Sequence, residues 1–212
     1  MPNWCYTNIT ICHNDEKKLK EFFDKVEKWA KTPYVKNGFD YPNLDYYWLG
    51  NIVGNSGLAK WEKISEERTD FVPNIACRGT LTQLEFQGNH ININTETAWA
   101  PMMKMWQLLV DKELPDAQIW FSAEEGGMGI YETNDPDMIG RYFIDVCDAP
   151  PERFEDIDSE YEASKDYVVS ILQRVLKTKE EDVDVLIKQL EESDIEWLYV
   201  HPWEEYSIDD CE

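Results

Sequence analysis

Residues 3–12 alternate strictly, and that alternation fixes how the chain begins. Cys5, Thr7, Ile9 and Ile11 fall on one side, and Tyr6, Asn8, Thr10 and Cys12 on the other. Side chains on a strand switch faces at every residue, so this is a strand with one apolar face. Asn14 and Asp15 can cap a helix. Leu19, Phe22, Phe23, Val26, Trp29 and Ala30 then recur at helical spacing, and Pro33 stops that helix.

Further along, Thr80–Phe86 and His90–Thr95 read as a hairpin. Gln87-Gly88-Asn89 joins them, a three-residue connection with the glycine such a turn favours. Pro101 suits the first turn of a helix whose stripe is Met102, Met105, Trp106 and Leu109, and Pro115 ends it. Gln118–Ala123 is a further strand, and Gly129–Glu132 a shorter one. Residues 34–78 are rich in Gly, Asn, Pro and aromatics, including Tyr41, Tyr46, Tyr47, Trp48 and Trp61. They predict an insertion that packs through its rings, with a short helix around Trp61–Arg68. The order is strand, helix, insertion, strand, strand, helix, strand. That βαββαβ order predicts an α+β chain with a ferredoxin-like antiparallel sheet and helices on one face. Phe143–Cys147 would extend that sheet.

Pro150-Pro151 marks the expected boundary, giving a domain over 1–149 and an acidic C-terminal helical extension over 150–212. Ser159 with Glu162 and Thr178 with Glu181 match the capping-box pattern. They would start two helices, one carrying Val168, Ile171, Leu172 and Val175, the other Val183, Leu186, Ile187 and Leu190. The tail keeps Trp197, Tyr199, Trp203 and Tyr206, which predicts docking rather than a loose end.

Charge separates these parts. The 212 residues hold 43 acids and 20 bases, a net of −23. Residues 1–100 carry 13 acids and 11 bases, whereas residues 132–212 carry 25 acids and 7 bases, a net of −18. A surface of this sign repels nucleic acid and anionic lipid, so neither is expected as a direct partner. With 42% hydrophobic and 13% aromatic residues, the chain has the apolar material to fold. No apolar run is long enough to span a bilayer, and the N-terminus lacks a signal-peptide pattern, so a cytoplasmic location is expected.

The five cysteines are an odd, widely spaced set without a C-x-x-C pair. They predict free buried thiols rather than a disulfide framework or a metal centre. Nucleophile-elbow, phosphate-loop and dinucleotide fingerprints are absent, and no cofactor is expected.

Met1-Pro2-Asn3-Trp4-Cys5 followed by a Thr/Ile strand resembles the opening of the YubB-type ferredoxin-like family. Thr97-Ala98-Trp99-Ala100-Pro101 is similar to that family's Thr-Ala-Trp-Ser-Pro segment, with Ala100 in place of Ser. Ser56-Gly57-Leu58-Ala59-Lys60-Trp61 resembles a lengthened Gly-Thr-Lys-Trp stretch, and Glu124–Gly129 sits where the family has an acidic turn. The resemblance covers about residues 1–132. It implies the fold and a setting on plasmids, phages or genomic islands, and it carries no catalytic residues over.

Three groups of residues are candidate sites. Glu124 and Glu125, with His90, could hold a divalent cation or act as an acid–base pair. Trp4, Trp61 and Trp99 beside Lys60 could stack on bases, although a core role is favoured because Trp buries a large area. The third group is acidic: Glu152, Glu155, Asp156 and Asp158, then Glu180, Glu181, Asp182 and Asp184, then Glu191 and Glu192. Such carboxylates can steer a basic, nucleic-acid-binding protein onto the chain by imitating rows of phosphates, with Trp197 and Trp203 as docking anchors. The leading expectation is therefore a non-enzymatic mobile-element accessory protein that binds a basic protein. The competing expectations are a metal-dependent enzyme at the Glu124/Glu125 turn, and an oligomer whose acidity serves solubility alone.

Overall fold

A computed structural model describes residues 3–34, 47–66, 68–147 and 152–206. The chain is mixed α+β, with five α-helices among the described residues. It divides into two compact units, the first running to Ile130 and including Tyr206, the second comprising Tyr131–Glu205. No described helix is long and apolar enough to cross a membrane.

The first unit holds β1 (Trp4–Cys12), α1 (Glu16–Ala30), α2 (Leu49–Asn55), β2 (Lys60–Lys63), β3 (Thr69–Val72), β4 (Gly79–Phe86), β5 (His90–Ala98), α3 (Met103–Glu113) and β6 (Gln118–Glu125). Four strands lie in the order β6-β1-β5-β4, every neighbour antiparallel. The opening strand is central because both its edges are paired. Ile9 faces Ile93 on one side and Phe121 on the other. Its alternation is realised: Cys5, Thr7, Ile9 and Ile11 are buried, while Trp4, Tyr6 and Asn8 are exposed.

Helix α1 starts where Asp15 accepts the backbone N–H groups of Lys17 and Lys18, at 3.0 and 3.2 Å. Those bonds, Lys18's above all, hold the Asp15 carboxyl below its ordinary pKa. Leu19, Phe22, Val26 and Ala30 then bury against the sheet, joined there by Leu49, Ile52 and Val53 of α2 and by Met105, Trp106 and Leu109 of α3. Each such aliphatic or aromatic side chain gains about 1.5–3 kcal/mol on leaving water. The β4–β5 turn is as expected: Gln87 N–H donates to the His90 carbonyl at 2.9 Å, and Gly88 takes φ +80°. Gly79 is required for space, since a Cβ there would lie 2.4 Å from the Glu96 carbonyl oxygen.

The insertion differs from expectation in two elements, the first being helix α2 at Leu49–Asn55, which was not expected. Lys60–Lys63 and Thr69–Val72 pair as the β2–β3 hairpin, where a helix around Trp61–Arg68 was expected. Trp61 stands opposite Phe71 in that ladder, and their rings meet edge-on at 4.7 Å. The rings of Tyr34 and Trp48 also pack on Phe71, so the expected aromatic packing is present. Tyr41 and Tyr46 lie outside the described residues.

The second unit holds β7 (Ile130–Thr133, from Tyr131 onward), β8 (Tyr142–Val146), a 3₁₀ turn at Glu152–Phe154, β9 (Glu160–Ala163), α4 (Lys165–Leu176), α5 (Val183–Glu191), β10 (Leu198–Pro202) and β11 (Glu204–Glu205). It is thus more than a pair of helices. β8 is the middle strand of an antiparallel sheet ordered β10-β8-β9, rather than an extension of the first unit's sheet. β7 and β11 pair in parallel, with Glu132 opposite Glu204. The expected boundary at Pro150-Pro151 lies outside the described residues, and β8 already belongs to the second unit.

Both expected capping boxes are replaced. The cap of α4 is Ser164, whose hydroxyl accepts Tyr167 N–H, while Ser159 Oγ accepts Val146 N–H across the strands. The cap of α5 is Asp182, which accepts from Asp184 and Val185, while Thr178 Oγ1 accepts from Glu180. The helical stripes themselves are as expected. Val168, Ile171, Leu172, Leu186 and Leu190 form one core with Ile144, Leu198 and Val200.

Candidate functional site

The turn after β6 gathers no catalytic set. Glu124 stands opposite Tyr6, while His90 stands opposite Cys12. Six residues of strand separate those register positions, about 20 Å at 3.3–3.4 Å per residue. Glu125 is buried and employed locally: one carboxylate oxygen accepts Gly127 N–H at 3.0 Å and the other accepts Met128 N–H. Two backbone donors satisfy it as the clasp of its own turn. Among the described residues no group of three or more His, Cys, Asp or Glu side chains is placed to hold a metal ion.

The three tryptophans do not share a fate. Trp61 packs on Phe71, whereas Trp4 and Trp99 are 44% and 45% exposed, outside the core role favoured for them. Trp99 adopts φ +77°, held by its N–H on the Asn3 carbonyl at 3.0 Å and by Thr97 Oγ1 donating to the Ala100 carbonyl at 2.8 Å. Lys60 is exposed in β2. The thiols also divide. Cys5 and Cys77 are buried, and burial pushes the Cys77 pKa up to about 12. Cys147 is exposed, contrary to the expected burial, and its thiol donates to Asp145 at 3.1 Å. Cys211 lies outside the described residues.

The second unit carries 22 acids against 7 bases. Of the expected partner-binding carboxylates, Glu152, Glu155, Asp158, Glu181, Asp184 and Glu191 are exposed. The others have local duties. Asp156 forms a two-pronged pair with Arg174, at 2.7 and 3.1 Å, and that guanidinium lowers its pKa. Glu192 lies 3.9 Å from Lys188. Asp182 caps α5, and Glu180, half-buried, accepts the N–H groups of Glu181 and Asp182 at 2.9 and 3.0 Å. The positive end of α5 is thereby met by carboxylates of its own chain. The first acidic cluster lies on and just after a 3₁₀ turn, ahead of strand β9, rather than on a helix.

The expected anchors pack into the fold to different degrees. Trp203 is 4% exposed, and its Nε1–H donates to the Tyr161 carbonyl at 2.8 Å. Trp197 is half-buried and stacks on Phe154 at 5.6 Å. Trp203 is thus closed to docking, while Trp197 keeps part of its surface exposed. The exposed rings of this unit are Tyr167 and Tyr199, neither of which was expected as an anchor. Tyr199 was signalled by its position between Leu198 and Val200, whose alternation makes it the outward residue of β10.

One cavity of about 300 Å³ lies within the second unit, between the C-terminal end of α5 and β10. Ile187, Leu190, Ile195 and Leu198 supply its apolar lining, and Glu191 and Glu196 its carboxylates. Among its described lining residues there is no lysine or arginine. At one end His201 stacks on Tyr131, and burial holds its pKa below the usual value, opposed by Asp145 and Glu191. No family model, curated protein or solved structure matches this chain.

Proposed function

We propose that this chain is a non-enzymatic accessory protein that binds a basic protein through its acidic second unit. The observation that carries the reading is the imbalance there: exposed carboxylates on a turn, a strand and two helices, with few cations to pair them. Such a surface draws in a positive partner from a distance and weakens as salt screens it. A nucleic-acid-binding protein is the natural class, because its own basic groove is already shaped for rows of negative charge. The carboxylate-enzyme alternative lacks support, since Glu124, Glu125 and His90 are not gathered. The first unit is proposed as ferredoxin-like, supported by the βαββαβ order and the strand order β6-β1-β5-β4. The setting on a mobile genetic element rests on the resemblance of residues 1–132.

Titrating the full chain with linker histone, at low and high salt, tests the reading. A variant with Glu181→Gln, Asp184→Asn and Glu191→Gln is compared with one neutralised equally in the first unit, Glu21→Gln, Asp24→Asn and Glu27→Gln. Binding that is salt-sensitive and falls selectively in the second-unit variant supports it. Equal loss in both variants means that charge acts through net charge alone, and the proposal fails.

A further inference from the structure

We infer that the end of the first unit's sheet around Trp4, Tyr6 and Trp99 captures an arginine side chain of a partner protein. This site is separate from the acidic second unit and does not depend on that unit's role.

Trp99 follows β5 in the left-handed region, at φ +77°, a conformation that a bulky side chain rarely adopts. Its ring stays 45% exposed, so burial does not offset the strain. Strain of this kind gathers where a fold presents a side chain to a ligand. Trp99 N–H donates to the Asn3 carbonyl at 3.0 Å, which fixes the phase of the β1–β5 ladder. Hydrogen-bonded pairs alternate along such a ladder, so Trp4–Ala98 and Tyr6–Glu96 are the close kind, with Cα atoms about 4.5 Å apart. Trp4 and Tyr6 share the face turned away from the buried Cys5, Ile9 and Ile11, and they are 44% and 50% exposed. A Cβ on Gly127 would lie 2.6 Å from Asn3 Nδ2, so the turn that exposes Met128 belongs to the same end of the sheet. Exposed rings gathered in this way mark an interaction site rather than scattered surface residues.

The rings alone do not name their occupant; the carboxylates beside them do. Tyr6 stands opposite Glu96 in β5 and opposite Glu124 in β6, so one row of the sheet reads carboxylate, phenol, carboxylate. Glu96 is half-buried and makes no ion pair or hydrogen bond among the described residues. Arg78, whose carbonyl accepts Ala98 N–H, is exposed and makes no ion pair or ring contact among the described residues, so it does not fill the site. A guanidinium matches both parts of the row. It is flat and weakly hydrated, stacks on Trp and Tyr faces, and donates paired N–H groups to a carboxylate. A nucleic acid could stack on the same rings, but its phosphates would meet Glu96 and Glu124 as like charges. A second copy would bring the same carboxylates.

The test titrates the full chain with a short glycine–serine peptide that carries one central arginine. Binding is read from the indole N–H signals of Trp4 and Trp99, each assigned through its replacement by phenylalanine. A second peptide carries citrulline, which keeps the shape of arginine and lacks its charge. The arginine peptide is expected to shift both indole signals and to bind about fivefold more tightly than the citrulline peptide. Glu96→Gln should weaken the arginine peptide several-fold, whereas Glu62→Gln, exposed on β2, should leave it unchanged. Equal affinity for the two peptides, shifts that miss Trp4 and Trp99, or equal weakening by the two variants overturns the inference. An oligothymidine that shifts both indoles where the arginine peptide does not assigns the rings to nucleic acid, and also overturns it. A dimer that Tyr6→Ser dissociates and the arginine peptide does not disturb assigns the patch to a second copy, with the same consequence. Failure of linker histone to bind the second unit changes none of these outcomes.

Discussion

The imidazole of His201 lies flat on the ring of Tyr131, with centroids 3.9 Å apart and planes 8° from parallel. The same tyrosine meets Trp203 edge-on at 6.3 Å, so the histidine covers the flank of an aromatic cluster. Burial keeps the ring neutral, lowering its pKa from 6.5 against the pull of Asp145 and Glu191. An unfolded chain takes up this proton at higher pH than the folded one. The stability associated with neutral His201 is therefore fully present above about pH 6.5 and is lost as pH falls through the folded pKa. Thermal unfolding followed across that range should show a decline that His201→Phe reduces, because phenylalanine keeps the stacked ring and removes the proton. An identical decline in the variant would refute the assignment.

Glu132 shows the opposite sign. Burial raises its pKa above 4.5, and the negative charge of Glu204, its partner in the parallel β7–β11 ladder, raises it further. Here the folded state holds the proton more tightly, so stability is lost as pH rises from about 4.5 through the folded pKa. Glu204→Gln is expected to stabilise the protein at neutral pH by about 0.2–1 kcal/mol, the usual scale for one cross-strand pair. Denaturant unfolding at pH 7 reads this directly, and a destabilised variant counts against the repulsion.

The start of α4 can be tested by two serines. Ser164→Ala removes the hydroxyl that accepts Tyr167 N–H and should cost about 1 kcal/mol. Ser159→Ala removes an exposed bond to Val146 N–H from just before β9 and should cost less, about 0.5 kcal/mol. If Ser159 proved the costlier, the helix would have to begin at the capping-box position instead.

Trp203 should behave as a core residue. Trp203→Phe keeps a ring but leaves the Tyr161 carbonyl without its indole donor, an expected loss of about 1–3 kcal/mol. Binding of linker histone by the folded variant should match the parent. A selective loss of binding with stability intact would restore this residue to a docking role.

Much of the first unit was legible because its elements carry a clean period. Cys5, Thr7, Ile9 and Ile11 alternate without a break, and Gln87-Gly88-Asn89 names its own turn. The hairpin at residues 60–72 was hidden because Lys60, Glu62 and Lys63 leave a single ring, Trp61, to mark the buried side. In the second unit, Ser159 and Glu162 match a helix-start pattern by spacing alone. The hydroxyl is instead taken by Val146 N–H, a partner thirteen residues away that no local pattern contains. The carboxylate–histidine candidates were not gathered for a related reason. Glu124 and His90 are both at strand ends, but register sends them to opposite ends, and register is set by pairing across the sheet. The acidic clusters were visible as charge. That Asp182 would cap a helix and Asp156 would meet Arg174 depended on where the chain turned.

The second unit enters through β7 and leaves through β11, and these two strands are neighbours in one ladder. Glu205 lies opposite Thr133, two residues beyond Tyr131, so the two ends are close, about one strand spacing across and two residues along. A short connection closes such a gap at small entropic cost. The chain consequently enters and leaves the acidic unit at neighbouring positions, so an internal deletion removes it whole. Shortening the chain cannot achieve the same thing: a stop near residue 149 would leave β8 without either of the strands that flank it.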